Sequence, residues 1–87
     1  MSATHVVVIE AGLAGNSYGA TISWSDPMTE SDALTFASEA AAGRKPDVVT
    51  VGDSDLLVRV APGQFLVIED RRAARLTRIS VAEIVRP

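Results

Sequence analysis

The stretch DPMTESDALTFASEAAAGRKP, residues 26–46, decides the fold because it carries ordered signals for the start and end of one helix. Thr29, with Asp32 three residues later, predicts an N-cap whose side chain accepts a hydrogen bond from a free backbone N–H. Gly43 predicts a left-handed residue after the last turn, and Pro46 prevents continuation. We therefore expect a helix over approximately residues 29–42.

This predicted helix has one apolar side. At about 100° per residue, six apolar side chains fall within one wide arc, while the polar ones fall opposite. The apolar set is Ala33, Leu34, Phe36, Ala37, Ala40 and Ala41. One such stripe predicts packing against one sheet, and the small alanines would let the helix lie close to it.

The segments before the helix are typical of two strands. Residues 6–9, VVVI, are apolar on both faces and predict a central strand. Residues 18–25 alternate, with Ile22 and Trp24 on the apolar side, and predict a strand with one wet face. We expect these two strands to form a hairpin with a long connection, and Trp24 to lie in the core.

The segments after the helix also predict strands and turns. Residues 48–51 are short and β-branched, and residues 56–61, 65–68 and 76–79 are strand-like. Pro62 and Gly63 predict a tight turn that would pair Val60 with Phe65 and Val58 with Val67. From Ser80 onward a helical turn followed by an edge strand is favoured over a plain strand, and both remain open.

Together these predictions give a single α+β domain over residues 1–87. The sheet is expected to be mostly antiparallel with one amphipathic helix packed on it, in the order β-β-α-β-β-β with an optional last strand. The chain has no cysteine, which excludes disulfides, thiolate zinc sites and cysteine nucleophiles. Without a signal peptide pattern or an apolar run of about 18 residues, we expect a soluble cytoplasmic protein and no membrane partner.

Residues 5–15, HVVVIEAGLAG, resemble the opening of the FAD- or NAD-binding Rossmann fingerprint. Gly12 and Gly15 match its second and third glycines, but Glu10 replaces the first. The family begins a helix inside this motif, whereas here strand-like alternation follows. We therefore predict no cofactor.

No catalytic or metal-binding set is recognisable. His5 lies at a strand start without Ser, Asp or Glu at a diagnostic spacing. The acid pairs Asp53 with Asp55 and Glu69 with Asp70 are typical of turns, and the first pair lacks the further acids of a calcium loop. We expect a protein that is not an enzyme, and a small hydrolase is the disfavoured alternative.

Four arginines near the C-terminus are the best candidates for a partner-binding site. Guanidinium groups present paired donors to carboxylates or phosphates. These arginines are Arg71, Arg72, Arg75 and Arg78. The competing interpretation is a solvated turn with salt bridges to Glu69 and Asp70.

The sequence favours a non-enzymatic interaction module that binds itself or another protein, with a homo-oligomer preferred because the core is thin. An antitoxin-like or nucleic-acid-associated regulator using the arginine hairpin is the alternative. The net charge of −3 weighs against it.

Overall fold

Five antiparallel strands and one helix form the part of the chain that the computed structural model describes, which is residues 3–13, 21–52, 55–69 and 76–86. The strands lie in the order β2-β1-β5-β4-β3. The elements are β1 (His5–Leu13), β2 (Thr21–Trp24), α1 (Glu30–Ala41), β3 (Leu56–Ala61), β4 (Gln64–Ile68) and β5 (Leu76–Glu83). This confirms the predicted α+β class and the element order.

Helix α1 begins and ends at the predicted signals. The Thr29 hydroxyl accepts a hydrogen bond from the backbone N–H of Asp32 at 3.2 Å. At the other end Gly43 takes a φ of 81°, and the N–H of Arg44 donates to the carbonyl of Glu39 at 3.0 Å. This bond spanning the last turn is typical of a Schellman motif, which satisfies a carbonyl that the helix itself leaves free.

The core lies between α1 and one face of the sheet. The helix contributes four fully buried alanines, which allow close approach to β1, β4 and β5. Among the described residues, the largest fully buried side chains are those of Ile79, Val7 and Val67. This core is therefore thin, as small domains often have.

The hairpin of β3 and β4 turns at Pro62 and Gly63 as predicted, and Gly63 has a φ of 76°. The register predicted for its strands is wrong by one residue, because a bulge at Val60 separates the turn from the rest of the ladder. The extra residue also increases the right-handed twist of the two strands at this point. A turn with proline and then glycine at its two central positions does not supply that twist by itself. The observed pairs are Val58–Leu66 and Arg59–Phe65, in place of Val58–Val67 and Val60–Phe65.

Two further predictions are corrected. Residues 48–51 do not form a strand, because Val48 and Val49 both donate their N–H groups to the carbonyl of Lys45 and close a turn after α1. The chain from Ser80 does not form a helical turn either. Strand β5 continues to Glu83, since β1 offers it a paired backbone along this whole length.

Strand β1 pairs with β2 on one side and β5 on the other, which confirms both the first hairpin and an interior position for β1. Within the described ranges, α1 is the longest helix, and no helix there combines the length and hydropathy that a membrane span requires.

Candidate functional site

The two faces of the sheet have different surroundings. The face toward α1 carries the buried residues Val7, Ile9, Val67 and Ile79. Successive side chains in a strand alternate between faces, so their neighbours point away from the helix. We call this second surface the open face, and its residues are Val6, Val8, Glu10, Ile22, Trp24, Leu56, Val58, Ala61, Gln64, Leu66, Ile68, Leu76, Arg78, Ser80 and Ala82.

The open face is largely apolar and exposed. Ile22, Trp24 and Leu56 are 63%, 71% and 60% exposed. Between them lie half-buried valine, leucine and isoleucine side chains from the inner strands. Such a contiguous apolar surface is uncommon on a soluble monomer and usually marks an interaction site.

The prediction that Trp24 lies in the core is wrong. Strand β2 places its polar side chains on the helix side, where Ser23 pairs with Ile9. Just beyond the strand, the Ser25 hydroxyl accepts a hydrogen bond from the N–H of Val7 at 2.9 Å. The apolar side chains of β2 are therefore directed to the open face. We expected them to face the helix and the polar side chains to face solvent, and the structure shows the reverse.

A bidentate ion pair lies on the open face. Glu10 of β1 and Arg78 of β5 are directly opposite in the antiparallel register. Nε of Arg78 donates to Oε1 of Glu10 at 2.8 Å, and Nη2 donates to Oε2 at 2.9 Å. The Arg78 side chain is 52% exposed and that of Glu10 is 20% exposed. Fork-to-fork geometry of this kind fixes both side chains in orientation.

This pair occupies the middle of an apolar row. Across the five strands the row reads Ile22, Glu10, Arg78, Leu66 and Val58. In the described part of the open face these are the two charged side chains, and their charges cancel. The face is therefore neutral and can be covered without leaving an unpaired charge, which would be costly.

An irregularity in β1 follows the ion pair. The ladder with β5 shifts between Glu10 and Leu13, and Gly12 has a φ of 74°. A left-handed residue at a bulge is a position that glycine fills without strain. Gly12 therefore lies within strand β1, which continues to Leu13, and Gly15, the other glycine matched to the dinucleotide fingerprint, lies outside the described residues.

The predicted arginine site is described only at Arg78, which lies within β5 and is bound by Glu10. The salt-bridge partner of Arg78 is thus Glu10, and not Glu69 or Asp70 as the solvated-turn interpretation proposed. The predictions for Arg71, Arg72 and Arg75, and for Asp70, lie outside the described residues. Their role in partner binding stays a prediction.

His5 has polar and charged neighbours that could not be recognised from their spacing in the sequence. Its Nδ1 is 2.8 Å from the Thr4 hydroxyl, and its Nε2 is 3.6 Å from Oε2 of Glu30. Glu83 is the cross-strand neighbour of His5, and His5, Glu30 and Glu83 border an open concavity with Leu34. His5 therefore has one hydroxyl and two carboxylate-bearing residues as neighbours.

The predicted turn acids behave differently from metal ligands where they are described. Oδ2 of Asp55 accepts a hydrogen bond from the N–H of Gly52 at 2.8 Å, as a turn former does. Asp53 lies outside the described residues. Within the described ranges, no group of three His, Asp or Glu side chains is placed to hold a metal ion.

Glu10 and the uncovered apolar surface are the features that sequence reasoning missed. A signal for the surface was present, since residues 6–9 and 65–68 are apolar on both faces while only one helix was predicted to cover them. Comparison of the chain with protein-family models, with curated proteins and with solved structures finds no match. The geometry alone must therefore support a functional proposal.

Proposed function

We propose that this chain is a non-enzymatic, self-associating interaction module in which two copies cover each other's open faces. The observation that carries the proposal is the apolar surface opposite α1, with Trp24, Ile22 and Leu56 all at least 60% exposed. Apolar area removed from water contributes about 25 cal/mol per Å² to association. A surface of this kind gains most from a partner that is also apolar and flat.

The thin core adds support for a partner. Four of the nine core residues that are buried in the described part of the chain are alanines, so burial on the helix side yields modest stabilisation. The larger apolar side chains of β2 and β3 contribute little in an isolated copy because they remain in contact with water. Covering the open face would bring these side chains into a second core.

The size of the face fits a weak dimer. Five strands spaced by about 4.8 Å, each contributing about five residues at about 3.3 Å, give a projected area of roughly 400 Å². Side chains that project from the sheet make its accessible area larger than this projected area. The accessible area therefore approaches the about 800 Å² that each partner buries in a standard interface. We expect reversible association with a Kd of the order of micromolar, because area at the lower limit rarely supports tighter binding.

The chemistry of the face favours a second copy over a strongly charged partner. Its one acid, Glu10, and its one base, Arg78, neutralise each other in the described surface. An apolar face that carries one positive and one negative charge at its centre is complementary to itself, as a two-fold interface requires. We place this dimer in the cytoplasm, since the chain carries no cysteine for oxidative cross-linking.

Sedimentation equilibrium from about 1 µM to about 1 mM would test the proposal, because this range brackets the expected Kd. The wild type should shift from monomer to dimer. Ile22→Thr and Trp24→Thr should each weaken the dimer about tenfold, since each removes a large part of an apolar side chain while placing a β-branched residue that suits a strand.

Leu57→Thr is the matched control. Like Ile22 and Trp24, Leu57 is an exposed apolar residue of an edge strand, and it is 43% exposed, but it pairs with Val67 and so points to the helix side. This variant should leave the dimer constant unchanged. A wild type that stays monomeric at the highest concentration, or an effect of Leu57→Thr equal to that of Ile22→Thr, would contradict the proposal.

Binding of nucleic acid by the arginine hairpin stays the alternative. Because Glu10 already neutralises Arg78, we rank it below self-association. It predicts binding that falls steeply with salt. A gel shift with short DNA and RNA at low salt, comparing the wild type with the fourfold alanine variant of Arg71, Arg72, Arg75 and Arg78, would decide it.

A further inference from the structure

The ion pair between Glu10 and Arg78 lies close to the centre of the open face. Strand β5 is the middle strand of five, and β1 is its neighbour. The midpoint of the pair is therefore displaced from the middle of the sheet by only about half of a strand spacing, or about 2.4 Å. A two-fold axis through the pair would keep most of both faces in contact.

Two sheets that pack face to face in the aligned class keep their strand directions within about 30°. For a two-fold axis in the plane of contact, this leaves an axis along the strands or one across them. With the axis along the strands, Glu10 of one copy lies opposite Arg78 of the second copy. With the axis across the strands, Glu10 lies opposite Glu10 and Arg78 opposite Arg78.

We infer that the Glu10–Arg78 pair selects the orientation of the dimer, with the two-fold axis along the strands and the four charges joined in one network. This inference rests on the proposed function. Each carboxylate keeps its own guanidinium and gains that of the second copy, so no charge is covered without a partner. The opposite orientation would place like charges together in a covered surface, which is strongly unfavourable.

The apolar neighbours fit the same orientation. An axis between β1 and β5 places β2 of one copy opposite β4 of the other. In the row of the ion pair, Ile22 would then lie opposite Leu66 of the second copy. Apolar side chains thus surround the charge network, which excludes water and strengthens its selectivity.

The test uses a charge-swapped variant, Glu10→Arg with Arg78→Glu. Within one copy this variant keeps an oppositely charged cross-strand pair, so the fold and its melting temperature should change little. Two swapped copies are again complementary and should form a homodimer with about the wild-type Kd. A dimer of one wild-type copy and one swapped copy, in contrast, would place two carboxylates opposite each other and two guanidinium groups opposite each other.

The experiment mixes wild type and swapped variant in equal amounts, with one of them isotope-labelled, and measures the three dimers by native mass spectrometry. We expect self-sorting, with the mixed dimer formed at least about tenfold more weakly than either homodimer. A statistical mixture, in which half of the dimers are mixed, or a preference for the mixed dimer would overturn the inference while leaving the dimer itself in place.

Absence of any dimer in the unmixed wild type would instead remove the proposed function. A third measurement guards against a swapped variant that folds poorly. Glu10→Arg and Arg78→Glu, made as separate single variants, should each dimerise more weakly than wild type and should associate with each other when mixed. Failure of both the sorting and this rescue, with the wild type dimeric, would also overturn the inference.

Discussion

The guanidinium of Arg78 and the carboxylate of Glu10 are held together by two hydrogen bonds, at 2.8 and 2.9 Å, although the residues lie 68 positions apart in the sequence. The pair joins β5 to β1 on the face that α1 leaves open. It therefore couples two strands from opposite ends of the chain. Its strength in a single copy and its role between copies can be measured separately.

In a dilute monomer, a double-mutant cycle with Glu10→Gln and Arg78→Met should give a coupling of about 0.5–1 kcal/mol at low salt, decreasing at about 1 M salt. The value is modest because Arg78 is half exposed, and it is above that of a simple surface pair because the contact is bidentate. Chemical denaturation of the four proteins gives the coupling free energy.

The matched control is the pair of Glu39 and Lys45, whose charged atoms are 3.8 Å apart. A cycle with Glu39→Gln and Lys45→Met should give a coupling close to zero, because this contact is long and partly exposed. Equal couplings for the two pairs would show that the bidentate geometry contributes nothing to stability.

Gly63→Ala should destabilise the chain by about 2 kcal/mol or more. Gly63 has a φ of 76°, and a Cβ there would lie 3.0 Å from Cδ2 of Leu34 and 3.2 Å from Cβ of Val81. Both backbone strain and overpacking between the turn, α1 and β5 contribute. Thermal unfolding followed by circular dichroism measures the loss.

Gly52→Ala is the control for this substitution. A Cβ at Gly52 would lie 3.4 Å from the Asp55 carboxylate, an ordinary contact. We expect a change within about 0.5 kcal/mol. If Gly63→Ala is as stable as Gly52→Ala, the close packing of the turn against α1 is wrong.

Thr29→Ala should cost about 1 kcal/mol, because the Thr29 hydroxyl accepts from the N–H of Asp32 and caps α1. Thr35→Ala, at an exposed position inside the same helix, should be neutral or slightly stabilising because alanine has the higher helix propensity. Urea denaturation of both variants gives the two free energies of unfolding. Equal free energies would argue against the cap.

Helix α1 was predictable from sequence because its start and stop depend on local chemistry. Thr29 caps the residues that follow it directly, and Gly43 turns the chain where its own φ permits. Sheet pairing depends on distant segments. The chain from Ser80 has a spacing that suits a helical turn, but β1 offers it paired backbone groups and extends the strand instead.

The candidate site was only partly predictable for the same reason. Arg78 could be singled out by its residue type, but its partner Glu10 depends on the order of strands, which local patterns do not encode. The alternation of Ile22 and Trp24 showed that β2 has an apolar side without showing which side faces α1. The position of α1 on the sheet determines which side of β2 faces the helix.

Trp24 gives a direct optical test of the open face, since it is the only tryptophan of the chain and is 71% exposed. At concentrations well below the dimer Kd, its emission should be typical of a water-exposed indole and readily quenched by acrylamide. As concentration rises, the emission should shift to shorter wavelength and quenching should fall, because the second copy covers the indole. The midpoint of this change should agree with the Kd from sedimentation. The charge-reversed single variant Arg78→Glu should displace the midpoint to higher concentration, whereas Leu57→Thr should not. An emission spectrum that stays constant while sedimentation shows a dimer would place the interface elsewhere on the molecule.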